Sequence, residues 1–323
     1  VSLQVLAPGA LTSVQDQGRP GYRHLGVPVG GALDPEALAI ANALVGNDPA
    51  AAGIEITLTG PRLRFLTRTL IALCGADCAA LVDGVPVPMW TRVAIAAGAT
   101  LWIPRLPGGA RAWLALAGGI DVPAVLGSRS TDLTAGFGGW QGRALAAGDL
   151  LPLGPAAARA RTWLERAARA STPVWAERWQ VRDLQAWDHD QPIRILPIDE
   201  AHCAALCASA WRISPQSGRM GLRLEGPALT TGSSAHRISA GVAPGLVQCP
   251  PDGGPIVLLR DAQTIGGYPL VGCVAQIDLP RLGRLRPGAS IRFQAIGLDQ
   301  AHALLAERQR RLQGLLSALA HRM

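Results

Sequence analysis

Glycine and proline cut this 323-residue chain into short pieces: 38 glycines and 25 prolines separate runs such as Ile54–Leu58, Leu70–Leu73, Val93–Ile95, Leu101–Ile103 and Trp113–Ala117. Proline cannot donate to a sheet ladder, and glycine accepts the left-handed turns that other residues avoid. The pattern therefore predicts many short strands joined by tight turns, a mainly β fold. A chain of this length has room for two domains of roughly 150 residues, each with its own core.

A few segments break the pattern. Asp34-Pro35-Glu36 offers a capping carboxylate, a proline at the first helical position and an acidic first turn, and Gly46-Asn47 closes the segment, so 34–46 is predicted helical. Residues 155–170 form a basic amphipathic stretch followed by a polar one with Trp175, Trp179 and Trp187, read as a helical and polar linker over 155–190. Beyond Leu298, leucines recur at 304, 305, 312, 315, 316 and 319, the spacing of a helix that packs on the body or on a partner. The expected organisation is a β domain over 1–154, the linker, a second β domain over 191–297 and a C-terminal helix over 298–323.

Three fragments recur in the same order. Leu-Thr-Gly-Pro-Arg-Leu (58–63), Asp132 to Trp140 and Gly142 to Asp149 are followed in the second half by Leu-Glu-Gly-Pro-Ala-Leu (224–229), Asp261 to Tyr268 and Gly283 to Ala289. Ordered recurrence suggests two related β domains. In this alignment Tyr268 corresponds to Trp140, and the loop 15–22 is an addition to the first domain.

Charge and composition exclude several classes of function. All 30 basic residues are arginine, so a Walker-type phosphate loop, a Schiff-base enzyme and a covalently biotinylated carrier are ruled out for this chain. The net charge of +7 is spread along the whole length, which argues against a nucleic-acid surface. No apolar run reaches the roughly 18 residues of a membrane span, and Val1-Ser2-Leu3-Gln4 lacks a basic region before an apolar core. A cytoplasmic, membrane-free protein is expected. The cysteines Cys74/Cys78 and Cys203/Cys207 invite a zinc reading, but their spacing departs from the usual Cys-x-x-Cys pairs. Cys203 and Cys207 share a helix face, and burial as small apolar side chains is the expected role. The histidines, His24, His189, His202, His236, His302 and His321, have no ligand-like spacing, and no metal site is expected.

What remains is a vocabulary of Arg, Asp, Gln and Gly, suited to binding anions and polarising carbonyl oxygens. It concentrates in four places: Gln15, Asp16, Gln17, Arg19, Tyr22 and Arg23; Ser128, Arg129, Ser130 and Thr131; Arg219 between Gly218 and Gly221; and Asp261, Gln263, Thr264 and Tyr268. Gln248, in Val-Gln-Cys-Pro-Pro-Asp-Gly (247–253), belongs with them.

At these residues the chain resembles a known family. Ser13 to Pro28, Gly31 to Asp34, Ala41 to Asn47, Ala117 to Pro123, Leu126 to Thr131, 247–253 and 261–269 resemble the allophanate hydrolase subunit 2 family, also labelled biotin-dependent carboxyltransferase. That family includes the C subunit of bacterial 5-oxoprolinase and the KipA-type antagonist of a kinase inhibitor. Three segments depart from its pattern: Ile193 to Glu200 where an Arg-Val-x-x-Gly-Pro strand is usual, Gly218 where an Asp precedes the arginine, and Ser239-Ala240-Gly241 in place of a Ser-Glu-Pro-like stretch.

The resemblance implies two tandem cyclophilin-like β-barrel domains with a few short helices. It also implies an ATP-dependent 5-oxoprolinase in which this chain, together with a KipI-like B subunit, activates the lactam of 5-oxoproline. ATP would be shared between the two, and hydrolysis to glutamate would be completed by the A subunit. An amide is a weak electrophile, so fixed donors must meet charge developing on its oxygen. Asp16, Arg19 and Asp261 are the catalytic candidates, Asp16 and Asp261 as general bases or as groups that orient arginine. Gln17, Tyr22, Ser128, Arg129, Ser130, Arg219, Gln248, Gln263, Thr264 and Tyr268 are the substrate-binding candidates. Two alternatives use the same residues: transfer of carboxylate from carboxybiotin, held on a separate carrier, to a urea-like nitrogen, and a non-enzymatic regulatory role of the KipA type.

Overall fold

The computed structural model describes residues 2–169, 172–183, 191–229 and 238–322. Trp187, His189 and His236 lie outside the described residues. The protein is mainly β, with few helices. Its residues group into two compact units that are discontinuous in sequence: the first comprises Val1–Arg19, Gly30–Ala186 and Leu312–Met323, the second Pro20–Val29 and Trp187–Arg311.

In the first unit two six-stranded antiparallel sheets enclose one core. One sheet runs Leu150–Pro152, Ser2–Ala7, Arg62–Phe65, Thr100–Trp102, Leu81–Val82, Val85–Pro86; the other runs Val174–Ala176, Arg92–Ile95, Thr69–Gly75, Arg111–Leu116, Gly53–Thr57, Leu11–Gln15. Leu3, Val5, Leu63, Phe65 and Leu101 of the first meet Val14, Ile54, Ile56, Leu73 and Leu114 of the second in a single apolar cluster. All five runs read as strands from the sequence lie in this unit, each overlapping an observed strand. The segment read as a linker contributes the helix Ala158–Ala168 and the strand Val174–Ala176, which pairs with Arg92–Ile95.

Two central strands, Thr69–Gly75 and Arg111–Leu116, are buried along their whole length, because the helix Pro35–Leu44 packs on both of them. That helix forms as its sequence dictates: the Asp34 side chain accepts a hydrogen bond from the Ala37 N–H at 2.9 Å, with proline in the first turn. Past its end, Asn47 donates to the Leu116 carbonyl at 2.7 Å and accepts from Gly118 N–H at 2.8 Å, tying the helix exit to a strand end. On this side of the sheet Glu55, 2% exposed, accepts from Trp113 Nε1 and from Leu33 N–H, each at 2.9 Å. These donors offset the cost of burying a carboxylate.

In the second unit seven strands close a barrel in the order Ile193–Pro197, Leu270–Val274, Leu246–Gln248, Ile256–Leu258, Gly221–Glu225, Ala210–Ile213, Ser290–Ala295. Closure comes through a parallel pairing, with Ile193 opposite Phe293. A short ribbon pairs Ala240–Gly241 with Ile265–Gly266. Beside the barrel, Asp278 is fully buried and receives the Arg194 guanidinium at 2.8 Å, the Arg194 N–H at 2.8 Å and Arg281 at 3.3 Å. The terminal helix Leu298–Arg322 buries Ala301, Arg308 and Leu319 and half-buries Leu304, Leu305, Leu312, Leu315 and Leu316, the single stripe that its leucine spacing predicts.

The repeated fragments have physical counterparts. A Cβ on Gly60 would sit 2.6 Å from Ile103, and one on Gly226 would sit 2.7 Å from the ring of buried Trp211. Both glycines therefore let a backbone pass close over a core side chain. Gly148 and Gly288 both take left-handed φ values, +93° and +84°, immediately before a strand.

Arg143 and Asp149 give a pH prediction. Two guanidinium bonds of 2.8 and 2.7 Å, with the Ala146 N–H at 2.7 Å, hold the Asp149 carboxyl down from 3.8 to about 2. A depressed carboxyl pKa stabilises the fold above its unfolded value, and the benefit is lost as pH falls through the folded value. Because Arg143 is 41% exposed, solvent screening limits the contribution to about 1 kcal/mol. Asp149→Asn is expected to lose that amount at pH 7, the difference from wild type closing between pH 3.8 and about 2; thermal unfolding across that range checks it.

Candidate functional site

The structure gathers the predicted residues into two groups, one in each unit. In the first, the strand Leu11–Gln15 delivers Asp16 to the loop 127–131. The Asp16 carboxylate accepts from Ser128 Oγ at 2.6 Å, from Ser130 Oγ, from Arg129 N–H and from Gly18 N–H at 2.7 Å, while Asp16 N–H donates to Ser130 Oγ at 2.9 Å. Residues 112 to 114 positions apart are thereby held by one side chain. Arg19, 1% exposed, donates to the Ser130 carbonyl and lies over the Phe137 ring, 4.7 Å from its centroid. Gly31, at φ +82°, belongs here because a Cβ would stand 2.6 Å from Gly18 N. Arg129 donates to the Val122 carbonyl at 2.7 Å and keeps 44% of its side chain exposed. Gln17 is apart from the knot and donates to the Pro35 carbonyl at 3.1 Å.

In the second unit Arg219 and Asp261 form a bidentate pair, 2.7 and 3.0 Å, with side chains 5% and 8% exposed. The pair is reinforced by Asp261 N–H donating to the Arg219 carbonyl at 3.2 Å. Nearby in sequence, Gln263 Nε2 donates to Gln248 Oε1 at 3.3 Å, and Gln248 is 1% exposed. Thr264 holds the ribbon through its carbonyl, which accepts from Val242 N–H at 2.9 Å.

The residues 20–29 group with this second unit. Tyr22 closes a turn in which its carbonyl accepts from Leu25 and Val27 N–H, followed by a one-turn helix Arg23–Leu25 that Gly26 ends at φ +83°. Tyr22 is half-buried and Tyr268 is 47% exposed. Within the same unit a pocket of about 370 Å³ opens between this turn and the ribbon. Arg23 and His24 line one side, Gly241, Val242 and Ala243 another, and Thr264 and Ile265 the third. Of these, only Thr264 is among the site residues expected from sequence. Arg23 appears there as a member of the 15–24 cluster and His24 as a histidine without ligand-like spacing. More than 200 residues separate the two sides of the pocket, and no local motif joins them.

The cysteines are free; Cys74, Cys78, Cys203 and Cys249 are buried, and Cys207 and Cys273 are partly so. Burial pushes the thiols of Cys78 and Cys203 up to about 12, where they are protonated and unreactive at neutral pH. Among the described residues no group of three or more His, Cys, Asp or Glu side chains gathers as a metal site, and no helix is long and apolar enough to cross a membrane.

Comparison with known proteins places this architecture. The family described as "Carboxyltransferase domain, subdomain A and B" matches residues 25–295. The chain belongs to this carboxyltransferase-domain family. Within it, the chain is 41% identical to the 5-oxoprolinase C subunit of Escherichia coli over 97% of both chains. It is 32% identical to the urea amidolyase of Saccharomyces cerevisiae over 94% of its own length but only 17% of that protein's. The crystal structure of the K. lactis urea amidolyase superposes with a TM-score of 0.82 at 28% identity, covering 97% of this chain and 20% of that one. The family assignment and the β-rich fold that the sequence motifs imply are both met.

Proposed function

We propose that this protein is the C subunit of an ATP-dependent 5-oxoprolinase, acting with partner subunits of the A and B kinds to open the lactam of 5-oxoproline to glutamate. The observation that carries the reading is the similarity to a 5-oxoprolinase C subunit over nearly the whole of both chains.

The geometry supports a division of labour. Asp16 and Arg19 act as positioning residues that fix the backbone and hydroxyls of 127–131, and Asp261 fixes the Arg219 fork. Such rigid donors suit a reaction in which negative charge builds on an amide oxygen, because they need no reorganisation at that moment. Within the second unit Gln248 and Gln263, bonded to each other, supply amide groups and Thr264 a hydroxyl. ATP fits this chain's own donors poorly. Arg19 and Arg129 are engaged on carbonyls and Arg219 on a carboxylate, and there is no lysine. The nucleotide is assigned to the partner subunits.

A second reading, carboxyl transfer to a urea-like nitrogen, is favoured by the 32% identity to a urea amidolyase. With no lysine to carry biotin, it requires a separate carrier. The assembled subunits should be given 5-oxoproline with ATP and, separately, urea with carboxybiotin. Glutamate from the first mixture is the expected result; carboxylated urea from the second, with no glutamate from the first, would transfer the assignment to the second reading.

A further inference from the structure

Arg23 differs from Arg194, Arg219 and Arg281 of its unit in what surrounds it. Arg219 lies on Asp261, and Arg194 and Arg281 lie on Asp278. Among the described residues the Arg23 Nη1 is shut off from solvent and has no hydrogen-bond acceptor. Burial also pulls its pKa below the ordinary arginine value, the sign of a cation that has lost water without gaining a counter-charge. It lines the 370 Å³ pocket together with His24.

The remaining walls limit what the pocket can hold. Val242, Ala243 and Ile265 are apolar, Thr264 brings a hydroxyl, and Gly241 adds no side chain at all. A Cβ on Gly241 would meet nothing within 4 Å, so this glycine leaves space open. A pocket near the lower end of the small-molecule range, about 300–1,000 Å³, takes a compact ligand. One guanidinium fork matches the two oxygens of one carboxylate, whereas a polyphosphate calls for several cations and a cradle of N–H groups. A neutral ligand would leave the guanidinium without a partner.

We infer that this pocket binds a small organic carboxylate, with Arg23 receiving the carboxylate oxygens and the 241–243 and 264–265 walls covering the apolar body. The proposal rests on the functional reading above in one respect, the choice of 5-oxoproline, a lactam with a single carboxylate, as the first probe.

The test is calorimetric titration of the full chain with 5-oxoproline, with 2-pyrrolidinone (the same lactam without the carboxylate), with propionate and with inorganic phosphate. Wild type is compared with Arg23→Met and Gly241→Val. Loss of a charged hydrogen-bonding partner should weaken 5-oxoproline and propionate roughly tenfold or more in Arg23→Met. Gly241→Val, which keeps the arginine and fills the space, should weaken 5-oxoproline comparably, and 2-pyrrolidinone should respond to Gly241→Val but not to Arg23→Met. Carboxylate binding unchanged by Arg23→Met, phosphate binding tighter than either carboxylate, or no carboxylate binding to wild type would each overturn the site. The two failures are separable. Propionate held through Arg23 with no 5-oxoproline turnover in the assembled subunits would leave the pocket standing and remove the 5-oxoprolinase reading. Full turnover by Arg23→Met would do the reverse.

Discussion

Asp261→Ala is expected to lower the stability of the second unit by about 3–5 kcal/mol, the usual cost of leaving a buried charge without its partner. The Arg219 fork is 5% exposed and two of its bonds end on Asp261, so water cannot readily replace the carboxylate. Changing both members, Arg219→Met with Asp261→Leu, is expected to recover a large part of the loss, since an apolar pair of similar volume carries no stranded charge. Urea-unfolding midpoints of the three proteins check this. A group whose work was confined to moving a proton would leave the midpoint of the single variant where wild type has it, and that outcome would remove the positioning role assigned to Asp261.

The second large effect is expected at Asp16. Asp16→Ala takes the acceptor away from Ser128 Oγ, Ser130 Oγ, Arg129 N–H and Gly18 N–H together. Each of the two buried hydroxyls left stranded costs about 1–3 kcal/mol, and the two part-buried N–H groups less. The four share one acceptor and are not additive, so a total of about 3–5 kcal/mol is expected. Asp16→Asn keeps an oxygen for the two hydroxyls but turns an NH2 toward the Arg129 N–H, and should lose about 1–2 kcal/mol. Amide hydrogen exchange locates the effect: Gly18 and Arg129 should lose protection first in Asp16→Ala. Unchanged protection at both would show that the loop 127–131 is held by something other than this carboxylate.

Local chemistry was the readable part of this chain. Asp34-Pro35 marks a helix start whatever the tertiary context, because capping and the proline ring act within one turn, and the helix Pro35–Leu44 begins there. The leucine stripe of the terminal helix was legible for the same reason. The clusters at 15–24 and 127–132 were visible separately, but nothing local reveals that Asp16 bonds Ser128 and Ser130 more than a hundred residues away. The division of the 15–24 loop was hidden too: Arg19 groups with the first unit and Pro20–Val29 with the second, a matter of packing that short-range pattern does not encode. His24 and Gly241 carry no motif of their own. They become candidates only when the ribbon of Ala240–Gly241 and Ile265–Gly266 and the turn at 22–26 are seen to share a pocket.

The 5-oxoprolinase assignment is tested most directly by measuring glutamate formed from 5-oxoproline and ATP by the A and B subunits with this chain present, omitted and then restored. The account predicts a rate that falls to background on omission and returns on restoration. Equal rates with and without the chain would contradict it.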